Sequence, residues 1–454
     1  MSITTKLAQF FAEMEYDNLP AAVIEKSKEN LIDNLGGAIG AIMVPDVKGN
    51  VDVFHRYDQS NDCTIWGTDK KTSVTNAALL NGIAAHALEM DDFHPLAKIH
   101  MGTVVVPAAI TLGEFHRISG KQLLAALAVG YEIGIRIGMG VGTSSHRMRG
   151  WHATSTIGIF GATLSAAKII GMDVEQTVSA LGIAGTQSSG LWAFMEDGAS
   201  NKKLHAGHAA ECGIKSALLA SGGMTGPRAI LEASDGGFYR ATSDEYNFDI
   251  VTEGLGENYE LMRVGRKPYA CCRSMHLSID GVLEVRKEYA IQPEDIVKID
   301  VFTYEIGVKQ CGIFQIPQNV FEAKFSIPYG IAVALYDGAA SIRQFEEERI
   351  TDPKLLELAG KVNVYSTEKY TKEYPRNWGC EMKIYTRDGK EITKVVWNGK
   401  GGVDKPLTRD DLILKFKSLA GVALPESRMD EIIHMIFNLE EVSDISQLTA
   451  LLKP

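Results

Sequence analysis

Residues 20–42, PAAVIEKSKENLIDNLGGAIGAI, decide the fold class of the first half of the chain. Val23, Ser27, Leu31 and Leu35 recur every four residues, which on a helix places small or apolar groups along one face. The same kind of pattern predicts helices over residues 73–89, 103–116, 121–138, 155–171 and 174–185. These stretches are rich in Ala, Gly and Leu, which let helix axes approach closely, so the chain up to about residue 266 reads as a buried all-α bundle.

Near Lys267 the pattern changes. Val297, Ile299 and Val301 alternate with Lys298 and Asp300, and the apolar positions Met382, Ile384, Ile392 and Val395 straddle Asp388-Gly389, a two-residue hairpin signal. Helical stretches at 326–336 and 352–359 lie between them. After the Gly-rich NGKGG segment, Thr408 followed by Asp411 predicts a helix cap, and Leu412, Phe416 and Leu419 continue an apolar stripe. The expected fold is mainly α with an α+β part. A large all-α helical domain is built from residues 1–266 together with 404–454, and a smaller α/β lid domain spans 267–403.

The 454 residues carry 46 Lys plus Arg against 57 Asp plus Glu, a net charge of −11 that argues against nucleic-acid binding. The six cysteines form no CxxC pair, so neither a disulfide framework nor a zinc ribbon is expected. Glu13 and Glu15 interrupt the N-terminal stretch before any long apolar run, and with reduced thiols this predicts a cytoplasmic protein. The best candidate for a membrane span, residues 123–141, contains Glu132 and Arg136, so no membrane partner is expected.

Four polar clusters stand out from the apolar background. The first runs from His86 through Glu89, Asp91, Asp92, His94 and Lys98 to His100, crossing from a helix into a loop stopped by Pro95. His86, Glu89 and Asp92 are about a helical turn apart and raise the question of a divalent metal, but no recognised ligand spacing is matched. The carboxylates can also serve as helix caps and ion-pair partners. The reading preferred is a catalytic loop in which His100 exchanges a proton and the acids hold it. The second cluster, Arg147 to His152, puts His152 ahead of a small-residue helix whose dipole would lower its pKa; a satisfied buried histidine is the plainer alternative.

The third cluster is NKKLHAGH, residues 201–208, and the fourth is RKPYACCRSMH, residues 266–276. Both concentrate cations among apolar neighbours, a setting in which Lys and Arg hold carboxylates. Cys271 and Cys272 read more readily as buried structural thiols than as nucleophiles. GMGVG at 138–142 is not a dinucleotide fingerprint, and there is no P-loop or GxSxG elbow. What remains is proton-transfer chemistry on a small anion without an organic cofactor.

Five ordered segments carry a resemblance: ALEMDDFHPLAKIHMGTVVVPAAITLGE, GWHATSTIGIFGATLSAAKIIGM, NKKLHAGHAAECGIKSALLASGGMTGP, KPYACCRSMHLSID and EAKFSIPYGIAVAL. They resemble the MmgE/PrpD superfamily nearly end to end. That resemblance implies a large helical domain joined by a cleft to a smaller α/β lid, a homodimer, no cofactor, and a small di- or tricarboxylate as substrate. It places catalytic roles on His100, His152 and Lys202, and substrate contacts on Glu89, Asp91, Lys267, Cys272 and Arg273.

Two positions depart from the family pattern. Phe93 stands where many members have threonine, and Cys272 where the decarboxylases place a histidine, with His276 as a conceivable substitute. The implied chemistry holds the substrate with Lys202, Lys267 and Arg273 while a histidine moves the proton α to a carboxylate. Members dehydrate 2-methylcitrate, epimerise iminodisuccinate or decarboxylate cis-aconitate. The expectation is a dehydratase-type lyase first, an epimerase second and a decarboxylase third. A noncatalytic carboxylate-binding homologue is the alternative from outside enzymology.

Overall fold

The computed structural model describes residues 1–454. Its first half is a bundle of eleven α-helices: α1 (Ile3–Glu13), α2 (Ala21–Gly40), α3 (Pro45–Tyr57), α4 (Val74–Ala87), α5 (Gly102–His116), α6 (Gly120–Gly140), α7 (Thr143–Met148), α8 (Ala153–Thr156), α9 (Gly158–Ile169), α10 (Val174–Gln187) and α11 (Leu204–Ser221). Val23, Ser27, Leu31 and Leu35 of α2 are all buried, as their spacing predicts. Helix α6 is long and apolar enough to cross a membrane, and nearly all of it is buried among its neighbours. It starts from a Ser119–Gln122 capping box, which satisfies two otherwise unpaired amide groups at its N-terminus.

Close helix approach is visible where α4 meets α11. A Cβ on Gly82 would stand 2.7 Å from the Gly207 Cα, and one on Gly207 only 2.2 Å from the Leu79 carbonyl oxygen. That contact brings His86 on α4 and His205 on α11 toward one pocket wall.

Residues 155–171 do not form one helix. Thr156 turns its hydroxyl back to the His152 carbonyl (3.2 Å) and is also bonded by His146 Nε2 (2.8 Å), and the helix restarts at Gly158. Such back-bonding by threonine bends helices and frees the turn at His152 to enter the site.

β1 (Cys63–Thr64) pairs with β2 (Lys71–Thr72) and β3 (Asp92–Phe93) with β4 (Gly265–Arg266), and the smaller unit contains a four-stranded sheet ordered β6-β5-β7-β8, with β5 (Ile296–Thr303), β6 (Val362–Ser366), β7 (Gly379–Thr386) and β8 (Glu391–Trp397). β5 and β6 are parallel, whereas β7 pairs antiparallel with both β5 and β8. The hairpin between β7 and β8 turns through Gly389 at φ +82°, but its loop runs over Arg387, Asp388 and Gly389, closed by the Thr386 amide on the Lys390 carbonyl at 3.1 Å, one residue longer than the two-residue turn expected. One strand expectation is corrected. Val297 is exposed, because the register slips between Ile296 and Lys298 and turns it out of the alternation. The helices His276–Tyr289 and Ile327–Asp337 pack on this sheet.

Two contacts fasten the chain to the helical unit on either side of the smaller one. Asp92-Phe93 (β3) pairs antiparallel with Gly265-Arg266 (β4). The helix Arg409–Ala420, opened by the Thr408–Asp411 capping box, returns to α2, where Phe416 and Leu419 lie against Gly36 and Gly40 and Lys415 binds Asp33 at 2.6 Å.

Overpacking the α4–α11 crossing tests this architecture. Gly207→Ala lowers the unfolding free energy by about 1–3 kcal/mol. Gly49→Ala, on α3 with open space around it, raises it by up to about 1 kcal/mol. Denaturant titration checks both signs.

Candidate active site

The site grows from the loop after α4. Glu89 adopts φ +57°, the left-handed region that non-glycine residues seldom occupy, and this turn carries the chain from α4 into β3. Asp92 turns away from the other acids. Its carboxylate accepts the Gly102 amide at 3.1 Å and the Tyr131 hydroxyl at 2.7 Å, so it caps α5, the helix-capping role weighed for these acids. Burial raises its carboxyl to about 7 against the pull of those bonds. The metal arrangement weighed for His86, Glu89 and Asp92 is therefore not assembled, since Asp92 is committed to α5 and Glu89 to two lysines.

Asp91 and Glu89 form the buried centre. Asp91 accepts from His86 Nδ1 (2.8 Å), His100 Nδ1 (2.9 Å) and Lys267 Nζ (3.0 Å). Glu89 accepts from Lys202 on one oxygen and from Lys267 at 2.9 Å on the other. Burial alone would raise both carboxyls. The Lys202 and Lys267 ammonium groups overcome it at Glu89, and His100 and Lys267 do so at Asp91, so both lie well below the ordinary carboxylate range. Lys267 is pushed up in turn: burial opposes its charge, and Asp91 and Glu89 more than restore it. Lys267, expected against substrate, is fully buried behind these carboxylates and is not part of the pocket wall.

His100 has its tautomer fixed by geometry. Its Nδ1 faces only acceptors, the Asp92 carbonyl at 2.6 Å and the Asp91 carboxylate, so Nδ1 carries the proton and Nε2 is the nitrogen left for exchange. Its ring is part of the pocket wall.

His152 is pushed far below its usual pKa. Burial is the chief cause, followed by the charges of His205 and Lys202; the one-turn helix α8 is too short for the dipole effect expected from sequence. Its Nδ1 lies 2.9 Å from His205 Nδ1, so one ring donates and the other accepts. With His152 as donor its Nε2 is bare and serves as a base. His86 stacks beside His152 at 5.8 Å and tilts against His100 at 5.1 Å, filling the space behind both.

These groups open on a pocket of about 670 Å³, counting its open mouth. Glu89, His100, His152 and Lys202 come from the helical unit, and Cys272 and Arg273 from the smaller one. Arg273 is pinned by the carbonyls of Lys400 (2.8 Å) and Gly399 (2.9 Å) and lies 4.4 Å over the Phe93 ring. Phe93 thus supports a guanidinium where the family pattern has a hydroxyl. His276 bonds to Arg273 and to the Cys271 carbonyl and does not reach the pocket. Cys272 does, and a hydrogen bond with Cys311 brings its thiol down to about 7 against burial.

Sequence reasoning missed Trp192 and Tyr374, and left Lys98, Arg147 and His205 without a role. His205 sits three residues beyond Lys202 in the quoted cation cluster, so the signal was present. For Tyr374 and Trp192 nothing local pointed to the site.

The pocket thus brings the His100 and His152 imidazoles, a lysine held by a glutamate and cations from both walls together, groups able to move a proton beside an anion. The MmgE/PrpD N-terminal domain model matches residues 5–251 and the C-terminal domain model residues 269–441, and the chain belongs to the MmgE/PrpD family. It is 30% identical to the cis-aconitate decarboxylase of Homo sapiens, covering 100% of this chain and 95% of that protein. It is 28% identical to the cis-aconitate decarboxylase of Aspergillus terreus, covering 99% and 96%. A mitochondrial 2-methylcitrate dehydratase of Yarrowia lipolytica is 23% identical over 52% of this chain and 47% of that protein.

The ion network has a pH signature. Glu89 and Asp91 have depressed folded values, so their contribution is present above the ordinary carboxylate range and is lost as pH falls through those values. Lys267→Met leaves two buried carboxylates short of a counter-charge and costs about 3–5 kcal/mol at neutral pH. Protonation relieves that repulsion, so the gap to wild type narrows toward about pH 4. Urea unfolding across pH checks this; a gap independent of pH contradicts it.

Proposed function

We propose that this protein is a cofactor-free lyase acting on a small di- or tricarboxylate, by proton transfer at the carbon α to a carboxylate, and that dehydration of a hydroxy acid is its reaction. The observation that carries this reading is that two of the imidazoles lining one pocket are each held by a partner: His152 neutral and buried against His205, His100 anchored through Nδ1 to Asp91. Elimination needs two proton-moving groups. His152 Nε2 removes the α-proton, the C–O bond breaks, and His100, entering the step as an imidazolium with Asp91 as its counter-charge, gives its Nε2 proton to the departing hydroxide, leaving water, an alkene and a neutral ring protonated on Nδ1. Arg273 and Lys202 face the negative charge that develops on the carboxylate as the proton leaves.

Decarboxylation is the second reading, supported by the end-to-end likeness to proteins named cis-aconitate decarboxylase. It requires a single proton donor to the carbanion left when carbon dioxide departs. Cys272, on the pocket wall where the decarboxylases are expected to carry histidine, has a thiol suited to that transfer.

Proton NMR in deuterated buffer, with 2-methylcitrate, citrate, cis-aconitate and iminodisuccinate offered in turn, separates the outcomes. A new alkene from a hydroxy acid is expected. Carbon dioxide release with a deuterated product would move the assignment to decarboxylation, and α-deuteration with inversion to epimerisation. His152→Ala and Lys202→Ala each lower kcat about 100-fold or more. Lys203→Ala, whose ammonium pairs with Asp46 at 2.6 Å away from the pocket, leaves it near wild type.

A further inference from the structure

Most buried cations in this protein have a carboxylate. Arg136 holds Glu132, Lys267 holds Glu89 and Asp91, and Lys415 holds Asp33. Three cations on the pocket wall do not: Arg273, which backbone carbonyls hold instead, and Lys98 and Arg147, which have neither. Lys98 has one hydrogen-bond partner, the Ser144 hydroxyl at 2.9 Å, and sits 4.0 Å from the Tyr374 ring centre. Arg147 lies 4.0 Å over the Trp192 ring, and its buried Nε has no hydrogen-bond partner at all. No carboxylate contributes to the electrostatics of either one. Burial and the Arg147 charge push Lys98 well below the usual lysine range, and burial brings Arg147 down to about 10. Both half-buried side chains thus have a hydroxyl or an aromatic face, and no carboxylate, to set against their desolvation. Lys98 is moreover placed by a left-handed backbone, φ +52°, a conformation that costs energy for a non-glycine residue and clusters at ligand sites.

We propose that Arg147 and Lys98 form a second carboxylate subsite, which binds a substrate carboxylate remote from the reacting carbon. The Trp192 indole links the two ends of the pocket. It carries Arg147 on its ring at 4.0 Å and meets the His152 ring at 5.1 Å, so guanidinium and catalytic imidazole stand one ring apart. A short carbon chain with a carboxylate at each end spans that separation. The subsite rests on the reading of the pocket as carboxylate-directed, and it adds a requirement: a monocarboxylate would leave Arg147 and Lys98 without an anionic partner. It also explains why no carboxylate of the protein approaches them, since one would compete with the ligand.

Calorimetric binding tests this independently of turnover, using tricarballylate, glutarate and butyrate as unreactive probes. Wild type binds tricarballylate and glutarate more tightly than butyrate. Arg147→Met and Lys98→Met each weaken the first two about 10- to 100-fold and leave butyrate unchanged. Arg147→Lys recovers part of the loss, which separates charge from folding. Arg149→Gln, two residues along and paired with Asp244 at 2.6 Å, binds as wild type does. Equal affinity for all three probes, no binding of any of them at millimolar concentration, or variants that weaken butyrate as much as glutarate would overturn the subsite. Probe selectivity without turnover of any hydroxy acid would overturn the dehydratase reading and leave the subsite standing.

Discussion

One buried lysine between two carboxylates holds the site together. Lys267 comes from the start of the smaller unit, Glu89 and Asp91 from the loop after α4, and all three are withdrawn from water. A charge so placed is costly unless paired, and here the pairing spans the two units of the fold. Two further roles follow from the same atoms. The Glu89 oxygen not bound to Lys267 orients Lys202, and the Asp91 oxygen not bound to it fixes both His86 and His100. The network that joins the units is also the one that aims the reacting groups.

The helical unit supplies rigidity to that arrangement. Small residues at the α4–α11 crossing allow His86 and His205 to approach His152, and the Thr156 back-bond breaks the helix where His152 must enter the pocket. Sites on packed helices hold their geometry better than sites on free loops, because each rotamer is locked by its neighbours. The smaller unit contributes Cys272 and Arg273 from a segment anchored to the Gly399–Lys400 carbonyls, which closes the opposite wall.

Much of the fold was legible because helical and strand periods survive in any sequence that buries one face. The α2 stripe, the Asp388-Gly389 hairpin and the Thr408 cap each express a local rule. Val297 was not legible, since a register slip depends on the partner strand. Within the site, the density of polar residues from His86 to His100 gave away the loop, and the cation clusters gave away Lys202 and Arg273. The division of labour among them could not be read. Whether Lys267 faces substrate or lies behind Glu89 depends on burial, and whether Asp92 joins Asp91 or caps α5 depends on Tyr131, far off in sequence. Arg147 and Lys98 carry meaning only through the absence of a partner, which sequence does not display.

The central claim is that Asp91 sets the protonation geometry of His100, and nitrogen-15 NMR of the imidazole side chains tests it most directly, with His100→Gln used to assign the signal among the 11 histidines. The account predicts that neutral His100 carries its proton on Nδ1 and that Asp91→Asn, which removes the carboxylate while keeping its shape, shifts the tautomer population. A wild-type His100 protonated on Nε2, or a population indifferent to Asp91→Asn, would contradict it.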